Sequence, residues 1–220
     1  MQRGFFSESE LQAYVKKSNS QEPDCSKCGL DKKCESPHIK MRGKGKKKIL
    51  MVIEMAGIES DRNGRLLSGR DGVILEKYLS EIGLSLFDDF WITPVVHCRS
   101  SKPNMGDLKP TMRYLKCCKP LLNKAITDLK PEHIWLMGSS PVEAFFTDKF
   151  SNLSLFRYIN LCIPDKDSGA WVTSFFHQSH VRRRENEENL IAEFKRNLKT
   201  AKGNLTLAPY KHESLEQYTK

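Results

Sequence analysis

The stretch that decides the fold is Lys48-Ile-Leu-Met-Val-Ile53, which is followed at once by Glu54-Met-Ala-Gly57. Five consecutive apolar residues are typical of a short strand that is buried on both faces, and the run is too short for a buried helix. Ligands of open parallel α/β sheets bind beyond the carboxyl ends of the strands. The carboxylate of Glu54 is therefore the first candidate for chemistry.

Three further segments show the same strand pattern, at residues 90–96, 133–137 and 171–176, and helical spacing of apolar residues follows at 74–82, 110–129 and 185–199. This alternation predicts an α/β fold with three layers, α/β/α, around a central four-stranded parallel sheet. Glu54 and His177 follow the first and the fourth strand. They should therefore lie at the same edge of the sheet.

Length and charge define the broad class of the protein. A chain of 220 residues can bury a full core, and we expect one domain over residues 23–202, with an extension at 1–22 and a tail at 203–220. The net charge of +9 favours a polyanionic partner. Neither an apolar run of roughly 18 residues nor a signal peptide is visible, so we expect a cytoplasmic monomer without a membrane contact.

Seven cysteines are many for a chain without a secretion signal; they stand at positions 25, 28, 34, 98, 117, 118 and 162. In a reducing compartment such cysteines favour metal or cluster ligation over disulfides. Cys25-Ser-Lys-Cys28 lies in a stretch that lacks apolar periodicity and would need a metal to hold it. Buried free thiols are the alternative, which suits Cys162. In the helix predicted at 110–129, Cys118 faces the core and Cys117 does not.

Several loops are suited to binding phosphate. Ser68-Gly69-Arg70 opens a helix and can offer backbone N–H groups and a cation. Ser179 and the run Arg182-Arg183-Arg184 follow His177 closely. Residues 40–48 contain six basic side chains, which form either an ordinary solvated face or phosphate contacts beside a DNA groove.

Seven short motifs occur in a fixed order, and the helix and strand contexts fit each of them. They are Cys25-x-x-Cys28, Glu54-x-x-Gly57, Gly64-Arg65-x-x-x-Gly69-Arg70-x-Gly72, Ile92-Thr-x-Val-Val-x-Cys98-Arg99, Cys118-x-Pro120, Lys130-Pro131 with Gly138, and Phe176-His177-x-Ser179. Over about residues 25–184 this ordered series resembles the uracil-DNA glycosylase superfamily, specifically its iron–sulfur branch, family 4.

The resemblance implies a DNA glycosylase that hydrolyses the N-glycosidic bond of a flipped uracil or other modified base. Glu54 matches the carboxylate that orients water or stabilises the cationic sugar, and His177 matches the donor to the departing base. The DNA contacts implied are Ser68, Arg70, Ser179, Arg182, Arg183 and Arg184. A [4Fe–4S] cluster would be held by Cys25, Cys28, Cys98 and Cys118. The same thiols suit zinc, and Cys34 either replaces a ligand or only lines the loop.

The positions that match the base pocket depart from the family pattern; they are Met55, Ala56, Gly57, Leu67 and Pro94. The family's Gly-Glu-Ala-Pro-Gly reads Ile53-Glu-Met-Ala-Gly57 here, a stacking aromatic is replaced by Leu67, and a base-reading asparagine is replaced by Pro94. His-Pro-Ser has become His177-Gln178-Ser179. Two hypotheses follow: a glycosylase with changed base preference, or an iron–sulfur DNA-binding accessory protein of replication or repair that has lost excision.

Overall fold

A computed structural model describes residues 22–102, 106–107, 109–149, 153–208 and 210, with only the backbone described at 101, 102, 106 and 107. Ser7-Glu-Ser-Glu10 is a capping-box pattern that predicts a short helix, and it lies outside these residues. So do most of residues 1–22 and part of 203–220, which the sequence predicts as extensions.

The central sheet contains the four predicted parallel strands. They are β1 (Ile49–Ile53), β2 (Phe90–Pro94), β5 (His133–Met137) and β7 (Ala170–Phe175), and they lie side by side in the order β2-β1-β5-β7. The prediction of four strands is nevertheless wrong by one, because β6 (Cys162–Asp165) pairs antiparallel with β7 at the edge of the sheet. This strand has four residues and includes Pro164, which only an edge strand tolerates readily. Two short strands, β3 (Ser101–Lys102) and β4 (Gly106–Asp107), form a separate hairpin.

Of the helices in the described residues, one precedes β1, five lie between strands and two follow β7. They are α1 (Cys25–Cys28), α2 (Ile58–Asn63), α3 (Arg70–Ser80), α4 (Met112–Leu129), α5 (Ser139–Phe146), α6 (Leu155–Tyr158), α7 (Gln178–Arg183) and α8 (Glu188–Asn204). The predicted helices at 74–82, 110–129 and 185–199 correspond to α3, α4 and α8, and their ends differ by up to five residues. None of the helices in the described ranges combines the length and the apolar character that crossing a membrane requires.

The core consists of two apolar layers, one on each face of the sheet. Every residue of β1 and β5 is buried. Met51 and its neighbours on one face pack with α3 and α8, whereas Leu50 and Val52 on the other face pack with α4 and α5. Because successive side chains of a strand point to opposite faces, one apolar run can serve both layers. The three-layer α/β/α architecture is therefore as predicted.

Two histidines with lowered pKa values predict that the protein loses stability in acid. Burial lowers the pKa of His133, which is 3% exposed in β5, and burial likewise lowers the pKa of His97. Below about pH 6.5 the unfolded chain therefore binds protons that the folded chain does not. We expect each histidine to cost up to about 1.4 kcal/mol of unfolding free energy per pH unit, until its folded-state pKa is reached.

Urea unfolding at about pH 7.5 and about pH 5.5 measures this loss. His133→Gln should make the dependence on pH shallower, since glutamine does not titrate. Equal unfolding free energies at the two pH values would contradict the prediction.

Candidate active site and thiol cluster

A cleft of 1010 Å³ lies at the carboxyl ends of the parallel strands, and both Glu54 and His177 line it. Glu54 follows β1 directly, and His177 follows β7 after one intervening residue. Only β5 separates β1 from β7 in the sheet, so their carboxyl ends share one edge, although the two residues are far apart in sequence. The negative charge of Glu54 acts on His177 strongly enough to influence the pKa of the imidazole.

The carboxylate of Glu54 is held by one hydrogen bond. Ser140, fully buried in the first turn of α5, donates its hydroxyl to Oε2 of Glu54 at 2.6 Å. Within the described residues, no hydrogen bond is made to Oε1. One oxygen is thus fixed, and the other is available to the cleft.

The imidazole of His177 is neutral and oriented. Burial lowers its pKa, and the nearby charges of Glu54 and Asp71 oppose this only in part. Nδ1 accepts the backbone N–H of Ser179 at 3.2 Å and lies 2.7 Å from the Ser179 hydroxyl oxygen. Because the acceptor nitrogen of a neutral imidazole carries no proton, we assign the ring proton to Nε2. The site therefore contains a neutral N–H donor.

Gly138 makes room for this ring. Its φ of +103° favours glycine, and a Cβ there would lie 3.0 Å from the Cβ of His177. A side chain at position 138 would therefore push against the imidazole.

Four of the five predicted base-pocket residues line the cleft: Met55, Ala56, Gly57 and Leu67. Leu67 has a φ of +52°, which an aliphatic residue rarely adopts, and Met55 is held where its sulfur accepts the Ser100 N–H at 3.2 Å. Pro94 is buried at the end of β2, in register with Ile53, and is not among the described residues that line the cleft.

The predicted DNA contacts are distributed around the cleft and its rim. Arg70, Ser179, Arg182 and Arg183 line it, whereas Ser68 and Arg184 are exposed without lining it. Arg182 is already paired, since its Nε donates to Asp71 at 2.7 Å. The first N–H of α3, on Arg70, is likewise already bonded, because it donates to Glu59 Oε2 at 2.9 Å.

The basic run that precedes β1 does not adjoin the cleft. Its later lysines lie at the amino-terminal edge of the sheet, where Lys44 and Lys46 pair with Asp88, and Lys48 pairs with Glu132. They are therefore placed away from the carboxyl edge, at which the cleft opens.

The four predicted cluster ligands lie on three segments that are close enough for their thiols to influence one another's pKa values. Cys25 and Cys28 lie on α1, Cys98 follows β2, and Cys118 lies within α4. The backbone N–H of Asp24 donates to the carbonyl of Cys117 at 3.1 Å, which joins the start of α1 to α4. As the helical spacing predicts, Cys118 is buried and Cys117 is only half-buried.

These thiols repel one another when they ionise. Burial first, and then neighbouring thiols, raises the pKa of Cys98 to about 12 and that of Cys118 to about 11. Within the described ranges, no three His, Cys, Asp or Glu side chains are grouped closely enough to hold a single metal ion. A cationic centre bound to these thiols would stabilise their thiolate forms. Cys34 adjoins the group through a hydrogen bond with Cys98.

Asp61 connects the cysteine-containing loop to the wall of the cleft, a role that the sequence pattern did not reveal. It is 1% exposed on α2 and accepts the N–H groups of Ser36 at 2.9 Å and Glu35 at 3.2 Å.

Asp61→Ala leaves both donors unpaired, and we expect a loss of about 2–4 kcal/mol in unfolding free energy. Urea unfolding measures this loss. The control variant Asp88→Ala should lose much less unfolding free energy, because the Asp88 side chain is more exposed and pairs with lysines. Equal losses would contradict a special role for Asp61.

These observations define a three-layer α/β protein that places an oriented carboxylate and a neutral imidazole in one cleft at the strand ends. The sequence model of the uracil DNA glycosylase superfamily matches residues 41–199. The chain belongs to this superfamily, as the ordered motifs predict.

Three curated relatives are all type-4 uracil-DNA glycosylases. The protein of Thermotoga maritima is 30% identical over 141 residues, which are 64% of this chain and 69% of the relative. The protein of Sulfurisphaera tokodaii is 31% identical over 131 residues, which are 59% of this chain and 57% of the relative. The protein of Saccharolobus solfataricus is 31% identical over 123 residues, which are 56% of this chain and 54% of the relative. The chain thus spans little more than half the length of two of these relatives.

Proposed function

We propose that this protein is a DNA base-excision enzyme that hydrolyses the N-glycosidic bond of a flipped uracil or other modified base. The observation that supports this most is the shared cleft of Glu54 and His177, at the edge of the sheet where ligands of such folds bind. The names of the three similar proteins support the same chemistry.

Glu54 acts on the sugar side of the bond. Cleavage proceeds through an oxocarbenium-like sugar, which a nearby carboxylate stabilises and to which it can direct a water molecule. Ser140 holds Oε2, so that Oε1 is the oxygen that faces the water or the sugar.

His177 acts on the departing base, on which negative charge grows as the bond breaks. The N–H at Nε2 donates to an oxygen of the base, and it needs no proton from solvent because the ring is already neutral. A fixed donor aimed at developing charge stabilises the transition state more than the ground state.

The DNA strand approaches over the rim of the cleft. Arg70 and Arg183 supply positive charge there, and the hydroxyl of Ser179 lies beside the imidazole. Phosphate contacts of this kind fix the position of the strand without reading its sequence.

We further propose that Cys25, Cys28, Cys98 and Cys118 hold a [4Fe–4S] cluster. Such a centre, when bound, supplies a structural cross-link and lets the four thiols exist as thiolates. The cross-link would join α1, the segment after β2 and α4. Zinc on the same thiols is the alternative, and a broad absorbance near about 400 nm with bound iron would distinguish the cluster from it.

A second candidate function is supported by the floor of the cleft. Leu67 and Met55 stand at positions that differ from the family pattern, and both are aliphatic and buried. Loss of a stack between a base and an aromatic side chain can cost about 1–3 kcal/mol of binding free energy. An iron–sulfur DNA-binding accessory protein of replication or repair, without excision, would keep the scaffold and not the base-reading residues.

An excision panel separates the two functions. Protein purified without oxygen is incubated with labelled single- and double-stranded oligonucleotides that contain uracil, hypoxanthine, xanthine or modified pyrimidines. Abasic sites from at least one base support the enzyme. Intact DNA throughout, together with salt-dependent binding, would reject it in favour of the accessory protein.

A further inference from the structure

An exposed aromatic side chain stands on the wall of the cleft. Phe156 of α6 lines the cleft and is 78% exposed. A single exposed phenylalanine elsewhere on a protein surface is common and does not indicate a binding site. Its position inside the cleft that would admit a nucleotide distinguishes it from such a residue.

The backbone around Phe156 is held by partly buried neighbours that pack against the core. Leu155 packs against the apolar layers on both faces of the sheet, and Tyr158 stacks on Phe146 with ring centres 4.9 Å apart and planes 18° from parallel. The N–H of Ile159 donates to the carbonyl of Leu155 at 2.9 Å, and Ile159 also bridges to Ser174 of β7. Because these neighbours face inward, Phe156 is directed outward from a fixed helical turn.

The size of the cleft leaves room for more than one base. Its 1010 Å³ lies at the upper end of the range of about 300–1,000 Å³ that whole drug-sized ligands occupy. A nucleotide bound at Glu54 and His177 would therefore share the cleft with parts of its neighbours in the strand.

The charges near Phe156 suit the same ligand. Arg157, the next residue, is exposed, and Arg70 and Arg183 line the cleft. Aromatic faces interleaved with cations are the pattern by which proteins bind single-stranded nucleic acid, because every base presents a face on which to stack.

We propose that Phe156 stacks on a nucleobase that neighbours the nucleotide held at Glu54 and His177. This inference rests on the proposed function, since it takes the ligand of the cleft to be a DNA strand. The aliphatic Leu67 provides no aromatic face, and Phe176, which also lines the cleft, is only 8% exposed. Phe156 provides one where the strand enters.

Binding to matched oligonucleotides tests the stack. One single-stranded oligonucleotide carries ordinary bases on both sides of a uracil, and the other carries baseless sugars at those positions. Phe156→Ala should weaken binding of the first by about 5- to 160-fold and leave binding of the second near that of the wild type. Phe156→Tyr, which keeps an aromatic face, should bind both like the wild type.

Leu161→Ala provides the matched control, because Leu161 is 47% exposed shortly after α6 and is not among the described residues that line the cleft. It should bind both oligonucleotides like the wild type. Unchanged affinity of Phe156→Ala would overturn the stack, and so would an equal loss on both oligonucleotides, which indicates a contact with the backbone or damage to the fold.

The same measurements keep this proposal separate from the enzymatic one. If the base-dependent loss occurs and the wild type excises no base, excision is rejected and the stack stands. If the wild type excises uracil while Phe156→Ala binds normally, only the stack is rejected. A wild-type protein that binds neither oligonucleotide would overturn the stack, whereas excision is judged separately on single- and double-stranded DNA.

Discussion

Replacing Glu54 by glutamine is expected to slow base excision by about 10²- to 10⁴-fold, the range associated with a general base in the transition state. Glutamine keeps the size of the side chain and can still accept the 2.6 Å hydrogen bond from Ser140, so the cleft should keep its shape. It cannot, however, stabilise a cationic sugar or take a proton from water. Single-turnover cleavage of the oligonucleotide identified by the excision panel measures the effect.

Binding distinguishes chemistry from substrate affinity in this variant. Glu54→Gln removes a negative charge from a site that receives a polyanion, so DNA affinity should stay equal or rise. Glu143→Gln is a matched control: Glu143 also lines the cleft, but its carboxylate is paired with Lys109 at 2.6 Å. It should excise at nearly the wild-type rate. Equal slowing of both variants would show that general charge, and not the position of Glu54, is responsible.

The scaffold could be predicted because local sequence determines it. Five apolar residues in β1 need burial on two sides, and with helices alternating along the chain a parallel sheet between two helix layers supplies it. Once the strands are parallel, the residues that follow them must share an edge. The meeting of Glu54 and His177 in one cleft follows from those two steps without any knowledge of side-chain contacts.

What could not be predicted depends on contacts between distant segments. Ser140 appears in the sequence only as part of a helix start, and nothing local reveals that its hydroxyl reaches Glu54. The pairing of Arg182 with Asp71 is equally hidden, because an arginine after a histidine resembles a free phosphate contact. The edge strand β6 could not be predicted, because its four residues include a proline and are too few to show an alternation of apolar and polar residues.

Removing one proposed cluster ligand should have the second large effect. Cys118→Ser is expected to abolish any absorbance near about 400 nm and to lower the unfolding free energy by more than about 3 kcal/mol. Cys118 is buried in α4, and its loss would release the cross-link to α1 and to the segment that carries Cys98. Iron content, visible absorbance and urea unfolding measure the result.

Cys162→Ser is the matched control, since Cys162 lies on β6, where it hydrogen-bonds to Thr173 of the neighbouring strand, away from the other thiols. It should keep both the colour and the iron of the wild type. Cys34→Ser decides the remaining alternative: if Cys34 only lines the loop, its loss leaves the iron in place, whereas a ligand would take iron with it. A colourless wild-type protein with one zinc ion per chain would contradict the cluster, because zinc does not absorb visible light. The proposed cross-link would still stand, because zinc also binds four thiolates.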